Sequence, residues 1–190
     1  MAMDIKPSVL SFLVVLLFLL FAQSSNATNK IVEVNKICNR TIHPSFCSKI
    51  LNSKPGGTNR VDLVTLVNYT IGVVRSNVTN TIHLIKSLIR NSTNSDAKDH
   101  YELCLKHFDY DEGALGEVEY AEKMLKAKDY QGVNVAASGV MATVDGCVFG
   151  DSPSDPVFPD HSSLPKYAEY VKQVADIICA ICNYLTGIYK

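Results

Sequence analysis

Long stretches in which apolar residues recur every three or four positions constrain this chain more than any other feature. In residues 59–90 they form one continuous stripe: Val64, Val67, Ile71, Val74, Val78, Ile82, Ile85 and Ile89. This spacing places the side chains on one face of an α-helix, whereas a strand would need alternation at every second residue. The stripe predicts an amphipathic helix about 48 Å long.

Three further stripes follow, separated by polar or proline-rich breaks. The second runs from about Ala97 to Lys126, and residues 109–113 disturb its register, which is expected to kink the helix or unwind a turn. The third follows the capping residue Asp129, and the last begins near Leu164-Pro165, since proline is favoured in a first turn. The positions expected in the core are Tyr101, Cys104, Phe108, Leu115, Val118, Ala121, Leu125, Val133, Ala136, Val140, Val144, Cys147, Tyr167, Val171, Val174, Ile178, Ile181 and Leu185.

Four amphipathic helices with short connections predict an all-α fold. We expect an antiparallel four-helix bundle over residues 59–187, in which each stripe is buried against the others. Residues 31–52 have room for two or three short helical turns, which are too short to be stable alone and need tying down. Residues 150–163 contain three prolines and are expected to form a loop.

The N-terminus has the layout of a secretory signal peptide. Lys6 precedes an apolar run, residues 9–22, which is short for a membrane span of about 20 residues. Small residues at Ser25 and Ala27 predict cleavage after Ala27, which leaves a domain of residues 28–190; the alternative is an uncleaved anchor. Four proline-free sequons, at Asn39, Asn68, Asn77 and Asn91, and all six cysteines lie in that domain, in agreement with secretion.

The balance of charges argues against two classes of partner. The chain carries 18 basic and 19 acidic residues, a net charge of −1. A chain without a broad basic field has little to hold nucleic acid or an anionic membrane. We therefore expect neither as a partner after signal cleavage. The oligomeric state is left open.

Six cysteines allow fifteen complete pairings, so spacing alone leaves their connectivity open. A bridge between Cys38 and Cys47 would close a small hairpin, and one between Cys104 and Cys147 would join the second and third helices. Cys179 and Cys182 lie three apart among isoleucines of the last helix. A redox pair normally sits at a helix N-terminus, so we expect these two as inert thiols, free or paired only with each other.

No motif for catalysis or cofactor binding is present, and we expect no enzyme activity, cofactor or metal. The phosphate-binding loop, the Gly-x-Ser-x-Gly elbow and the His-Glu-x-x-His helix are all missing. His100, Cys104, His107 and Asp111 could share one helix face. Metal ligation would need Cys104 as a free thiolate, which conflicts with a disulfide there.

Carboxylates are concentrated on the second helix. They are Asp109, Asp111, Glu112, Glu117, Glu119 and Glu122, with Lys123 the one basic residue nearby. An ordinary solvated face is one interpretation. The other interpretation is a docking surface for a basic or carbohydrate-binding enzyme. Glycans on the first long helix would cover that helix, so the open surface would lie on the second and third helices.

Several motifs, in order, resemble the plant invertase and pectin methylesterase inhibitors. They are Ile37-Cys38-Asn39-Arg40-Thr41-Ile42-His43-Pro44-Ser45-Phe46-Cys47, then Tyr101-Glu102-Leu103-Cys104 with Ala114-Leu115, Val118 and Ala121, then Asp129-Tyr130 with Val133-Asn134-Val135, Ala137-Ser138 and Cys147. The match runs from about Ile31 to Leu185, nearly the whole of the predicted mature chain.

The resemblance implies an N-terminal helical hairpin on a four-helix bundle, with disulfides Cys38–Cys47 and Cys104–Cys147. It implies a secreted inhibitor that occludes the active-site cleft of a cell-wall enzyme 1:1, without catalytic residues. We expect pectin methylesterase as the target and the apoplast as the location, with Asn134 added to the docking surface. The alternative is a cell-wall or vacuolar acid invertase, although Pro156-Val157-Phe158 only partly matches the Pro-Lys-Phe segment of invertase inhibitors.

Three departures from the family pattern fall on the helices expected to contact a target. Residues 109–113 add about three positions, which should overwind the register locally. Gly139 stands where members often carry alanine and weakens a helix by about 1 kcal/mol. Residues 145–149 lack the usual flanking residues around Cys147. A remoter alternative from another class is a secreted lipid carrier, which would need a large apolar cavity that these narrow stripes do not predict.

Overall fold

The computed structural model describes residues 32–58, 61–152, 154 and 156–190. These residues contain seven α-helices and no strand: α1 (Val34–Cys38), α2 (Pro44–Asn52), α3 (Leu63–Asn91), α4 (Ser95–Phe108), α5 (Ala114–Lys126), α6 (Tyr130–Phe149) and α7 (Leu164–Leu185). The all-α prediction is confirmed. The predicted signal peptide, residues 1–27, lies outside the described residues.

The long helices form a bundle with α4 and α5 together as one of its four members. α3 packs against α7, α4 and α5, and α6 packs against α7, α4 and α5. Within the described residues no Cα atoms of α3 and α6 lie within 8 Å of each other, so the two helices occupy diagonal positions. The predicted stripes are buried at most positions; Val64, Ile89, Leu125 and Leu185 are half-buried, and Tyr167 is 41% exposed.

Side-chain caps determine where three of the helices begin. Asp129 accepts a hydrogen bond from the Gly132 N–H (2.8 Å), as its position predicts. Asn94 does the same for α4 with the Ala97 N–H (2.9 Å). Asp62 accepts from the Thr65 N–H (2.9 Å), and for this reason α3 begins at Leu63 rather than at the predicted residue 59.

The single helix predicted over residues 97–126 is wrong, because the chain forms two helices. α4 ends at Phe108, and Asp111 adopts a left-handed conformation with φ 66°. The chain then folds back closely on the start of α5: a Cβ at Gly113 or Gly116 would overlap the carbonyl oxygen of Asp109 or Asp111. The extra residues therefore end a helix instead of overwinding it, and glycine is what permits the tight return.

The N-terminal hairpin, α1 and α2, is held by a disulfide and by α7. Cys38 and Cys47 are joined, with their Cα atoms 5.3 Å apart. The Ile42 N–H donates to the Asp176 carboxylate (2.8 Å), and the Tyr184 hydroxyl donates to the Lys36 carbonyl (3.2 Å). These contacts tie down turns that are too short to be stable alone.

The connection between α6 and α7 is fastened to α4 through Asp160. Its carboxylate accepts hydrogen bonds from the Tyr101 hydroxyl (3.1 Å) and the Ser162 N–H (2.8 Å). Its second oxygen has no hydrogen-bond partner in the described part and lies 3.9 Å from Nε2 of His100. Phe158 stacks on the His100 ring, with centroids 4.5 Å apart. We name this group of four side chains the α4 latch.

The two disulfides should differ in their effect on stability. Cys104–Cys147 closes a sequence separation of 43 residues and Cys38–Cys47 one of 9. On the loop-entropy estimate, replacing the first pair by serine lowers the free energy of unfolding by about 4 kcal/mol and replacing the second by about 2.6 kcal/mol. Urea denaturation followed by circular dichroism measures both, and a larger loss for Cys38–Cys47 would contradict this order.

The α4 latch should weaken in acid. Burial lowers the pKa of His100, and the Asp160 carboxylate opposes this effect only in part. The folded state therefore favours the neutral ring, so the stability it contributes is complete above its ordinary pKa of about 6.5 and is lost as the pH falls through that range. We expect His100→Phe, which keeps the stacking, to reduce the fall in Tm between pH 7.5 and 5.

The control for this measurement is His83→Gln, because His83 is exposed on α3. This variant should keep the slope of Tm against pH seen in the unmodified protein. Equal slopes for the unmodified protein and His100→Phe would contradict a role for His100 in the acid sensitivity.

Candidate docking surface

The outer side of α6 is exposed and carries a single charged residue, Asp145, which is also the one charged residue in this 20-residue helix and is paired with Lys172. Five exposed residues, which we name the α6 face, point away from the bundle: Gln131, Val135, Ser138, Ala142 and Phe149. Val135 is 57% and Phe149 54% exposed. The exposed apolar side chains of Val135, Ala142 and Phe149 share one side of the helix, which makes the α6 face a candidate docking surface.

α6 is rich in apolar residues along its whole length. In the described part of the chain it is the one helix long and apolar enough to cross a membrane, judged by length and composition alone. Its inner side packs against α4, α5 and α7. The apolar residues therefore serve two surfaces, the bundle core and the α6 face.

Three glycines at intervals of seven residues let α6 approach α4 and α5 closely. Gly132, Gly139 and Gly146 lie on one side of the helix, because seven residues make nearly two turns. They receive the side chains of Met124, Glu117 and His107; a Cβ would come within 2.8, 2.5 and 2.5 Å of these neighbours, respectively. The sequence predicted that Gly139 weakens the helix; in the structure its missing side chain leaves a notch that holds the Glu117 carboxylate.

A groove of about 1450 Å³ runs between α4, the break before α5 and the C-terminal half of α6. The predicted residues Asp109, Asp111 and Glu112 line it. Three more carboxylates join them, those of Glu102, Asp145 and Asp151, against the basic groups of Lys106 and His107. We name it the acidic groove. Ala142 and Phe149 belong both to this groove and to the α6 face, so the two surfaces are continuous.

Glu117 of α5 lies against α6, with its carboxylate over Gly139. Burial raises its pKa above the ordinary value. Within the described residues no cation or hydrogen-bond donor pairs with it. A half-buried carboxylate without a partner is an unusual feature of a folded surface, because such groups are normally satisfied.

The two remaining predicted surface residues have partners inside the bundle. Glu119 lies 3.6 Å from Nη1 of Arg75, which also binds Glu122 through two hydrogen bonds of 2.6 and 2.9 Å. Glu119 is thus directed toward α3. The amide of Asn134 donates to Asn183 Oδ1 (2.8 Å) and joins α6 to α7. The structure therefore brings four of the six residues to the acidic groove and the Gly139 notch.

The four side chains considered for a metal are not gathered at one point. Cys104 is joined to Cys147, His100 belongs to the α4 latch, and Nε2 of His107 approaches Asp151 (3.0 Å). In the residues the structure describes, no three histidine, cysteine or acidic side chains are placed to hold a metal ion.

Besides the acidic groove, a second cavity has a volume of about 200 Å³, which is smaller than the 300–1,000 Å³ typical of ligand pockets.

The last two cysteines are free thiols in the interior. Cys182 is buried and Cys179 half-buried. Burial raises the pKa of Cys179 to about 11 and raises that of Cys182 further. Both are protonated at physiological pH, and the thiolate is the reactive form.

The glycine notches generate a paired prediction. Gly139→Ala should leave the protein as stable or more stable by up to about 1 kcal/mol, because helix propensity improves and the flexible Glu117 side chain can swing into solvent. Gly146→Ala should cost about 1–3 kcal/mol, because its Cβ meets the half-buried His107 ring. Urea denaturation compares the two, and equal losses would contradict the expectation that Glu117 moves aside at Gly139 while His107 does not at Gly146.

Known proteins with similar sequences and structures share one description. The chain is 30% identical to "Pectinesterase inhibitor 1" of Arabidopsis thaliana over 92% of this chain and 94% of that protein. It is 28% identical to "Pectinesterase inhibitor" of Actinidia deliciosa over 81% and 80% of the two chains. A crystal structure of a mutant pectin methylesterase inhibitor from Arabidopsis superposes with a TM-score of 0.66 at 28% identity, covering 80% of this chain and 95% of that one.

A model of a protein family also matches most of the chain. The model described as plant invertase/pectin methylesterase inhibitor matches residues 32–181. This range contains the hairpin, both disulfides and all but the last residues of α7. The resemblance seen in the motifs is confirmed: the chain belongs to the plant invertase/pectin methylesterase inhibitor family.

Proposed function

We propose that this chain is a secreted protein inhibitor of pectin methylesterase that binds its target 1:1 and covers the active-site cleft. Curated relatives from two plants are named pectinesterase inhibitors, and the similar solved structures are pectin methylesterase inhibitors. The protein acts by occlusion and is not itself an enzyme. The observation that carries the docking site is the uncharged, exposed α6 face.

The shape of the α6 face suits a long cleft. An enzyme that acts on a polysaccharide needs an extended open groove, and a helix of 20 residues is about 30 Å long. The notches at Gly132, Gly139 and Gly146 hold α6 rigidly against α4 and α5. Such a surface loses little conformational freedom on binding, which favours affinity.

Charge supports the same partner. Pectin becomes polyanionic when its methyl esters are hydrolysed, so a cleft that holds it benefits from basic groups. The acidic groove presents six carboxylates beside the α6 face. Complementary charge guides the approach of two proteins and selects the partner. Glu117, which lacks a partner within the bundle, lies where a basic side chain of the enzyme would reach it.

Invertase is the less favoured target. The relatives in both comparisons are named for pectinesterase or pectin methylesterase. The Phe158 ring of the segment that partly matches invertase inhibitors is turned inward onto His100 (4.5 Å). It is therefore engaged within its own bundle and not presented to a partner.

Secretion to the apoplast is part of the proposal. The predicted signal peptide at residues 1–27 and the two disulfides support it, because disulfides form and persist in oxidising compartments. Sequencing the N-terminus of protein secreted from plant cells should give Thr28 as the first residue. Protein that keeps residues 1–27 would contradict the cleavage site.

The direct test of function is a titration of two enzymes in parallel. Oxidised protein beginning at Thr28 is added to a plant pectin methylesterase and to an acid invertase. We expect loss of methylesterase activity that is complete near a 1:1 ratio, with invertase unaffected. Inhibition of invertase alone, or of neither enzyme by protein shown to be folded, would contradict the proposal.

The docking site has its own matched pair of variants. Ala142→Arg places a charge in the α6 face, and Ser76→Arg places the same charge on the exposed side of the diagonal helix α3. A bulky cation in the α6 face fills part of the interface, offsets the negative charge of the acidic groove and repels the basic groups expected in the cleft, so inhibition should weaken at least tenfold, about 1.4 kcal/mol, for Ala142→Arg only. Inhibition constants measured for both variants test this, and equal effects would place the site elsewhere.

A further inference from the structure

Three of the four predicted sequons lie on α3, the helix diagonal to the α6 face. They begin at Asn68, Asn77 and Asn91. Because the described parts of α3 and α6 occupy diagonal positions in the bundle, the outer side of α3 is directed away from the proposed docking surface. Sugars on α3 are therefore compatible with target binding.

The helix separates two of these sites by half a turn. Asn77 follows Asn68 by nine positions, which is two and a half turns at 3.6 residues per turn, so the two side chains point in opposite directions. Asn68 is exposed, and its amide makes no hydrogen bond within the described residues. Asn77 is half-buried, and its amide nitrogen donates to the Val73 carbonyl (2.8 Å). The two sequons are therefore unequal in the folded protein.

A sugar on Asn77 conflicts with the observed fold. The sugar is attached to the same amide nitrogen that is turned back onto the helix backbone. To let the sugar reach solvent, the side chain must rotate and give up this bond. Asn91 has no such conflict, because it is exposed at the end of α3 with its amide 3.3 Å from the Ser87 hydroxyl.

We propose that Asn68 and Asn91 carry N-linked glycans in the folded, secreted protein and that Asn77 does not. The inference depends on the secretion included in the proposed function. The sugars cover the exposed side of α3 and leave the α6 face and the acidic groove open. The target then has access to one side of the bundle only.

The order of events follows from Thr70, the third residue of the Asn68 sequon. Its hydroxyl is buried and donates to the carbonyls of Leu66 and Val67, both at 2.9 Å. A transferase that must reach this hydroxyl cannot do so after α3 has folded into the bundle. Sugars are therefore added before folding, and the conflict at Asn77 acts at the folding step, so that the folded fraction is depleted of chains that carry a sugar there.

Mass spectrometry of secreted protein tests the assignment. The full chain, with its native leader, is expressed in yeast, and the secreted, folded fraction is treated with an N-glycan amidase in heavy-oxygen water. This reaction marks each occupied asparagine as a heavy aspartate. We expect the mark at Asn68 and Asn91 and not at Asn77. A marked Asn77, or an unmarked Asn68 or Asn91, would overturn the proposal.

Matched variants separate this inference from the function. Asn68→Gln should lower the apparent mass of the secreted protein on a gel by that of one glycan. Asn77→Gln should leave the apparent mass unchanged. Enzymatic removal of the sugars should leave methylesterase inhibition unchanged within twofold. Secreted protein that inhibits but never received a sugar at Asn68 refutes the glycan assignment alone, and glycosylated protein that does not inhibit refutes the function alone.

Discussion

The close approach of α6 to α4 and α5 is the constraint on which the rest of the structure depends. Side chains from α4 and α5 enter notches at Gly132, Gly139 and Gly146, and the Cys104–Cys147 disulfide holds the same helices together. α6 is thereby fixed with one apolar side in the core and the other in solvent. The rigid, uncharged α6 face and the acidic groove beside it both follow from this arrangement.

Carboxylates that look alike in the sequence have different roles in the bundle. Glu122 and Glu119 are paired with Arg75 and join α5 to α3. Asp109 and its neighbours line an open groove, and Glu117 lies unpaired over Gly139. For the three glutamates the division follows from the side of α5 that each occupies, whereas Asp109 and its neighbours precede that helix. It leaves the unpaired negative charge on the side of the molecule that also presents the α6 face.

Local rules predict the fold well and the site only in part. The spacing of apolar residues and the Asp129 cap are local signals, and both predict helices that the structure contains. The sequence also showed a disturbance at residues 109–113, but the tight return over Gly113 that ends α4 depends on contacts with α5. The role of Asn134 as a link to Asn183 depends on tertiary packing and has no local signal. The heptad-spaced glycines were a readable signal for close helix packing.

The most direct test of this account is hydroxyl-radical footprinting of the complex with pectin methylesterase, because radicals label exposed large side chains. Val135 and Phe149 on the α6 face are exposed in the free protein, as are Ile42 in the hairpin and Ile188 near the C-terminus. The account predicts that labelling of the first two falls on complex formation while that of the last two is unchanged. Protection of Ile42 and Ile188 with continued labelling of Val135 and Phe149 would contradict it.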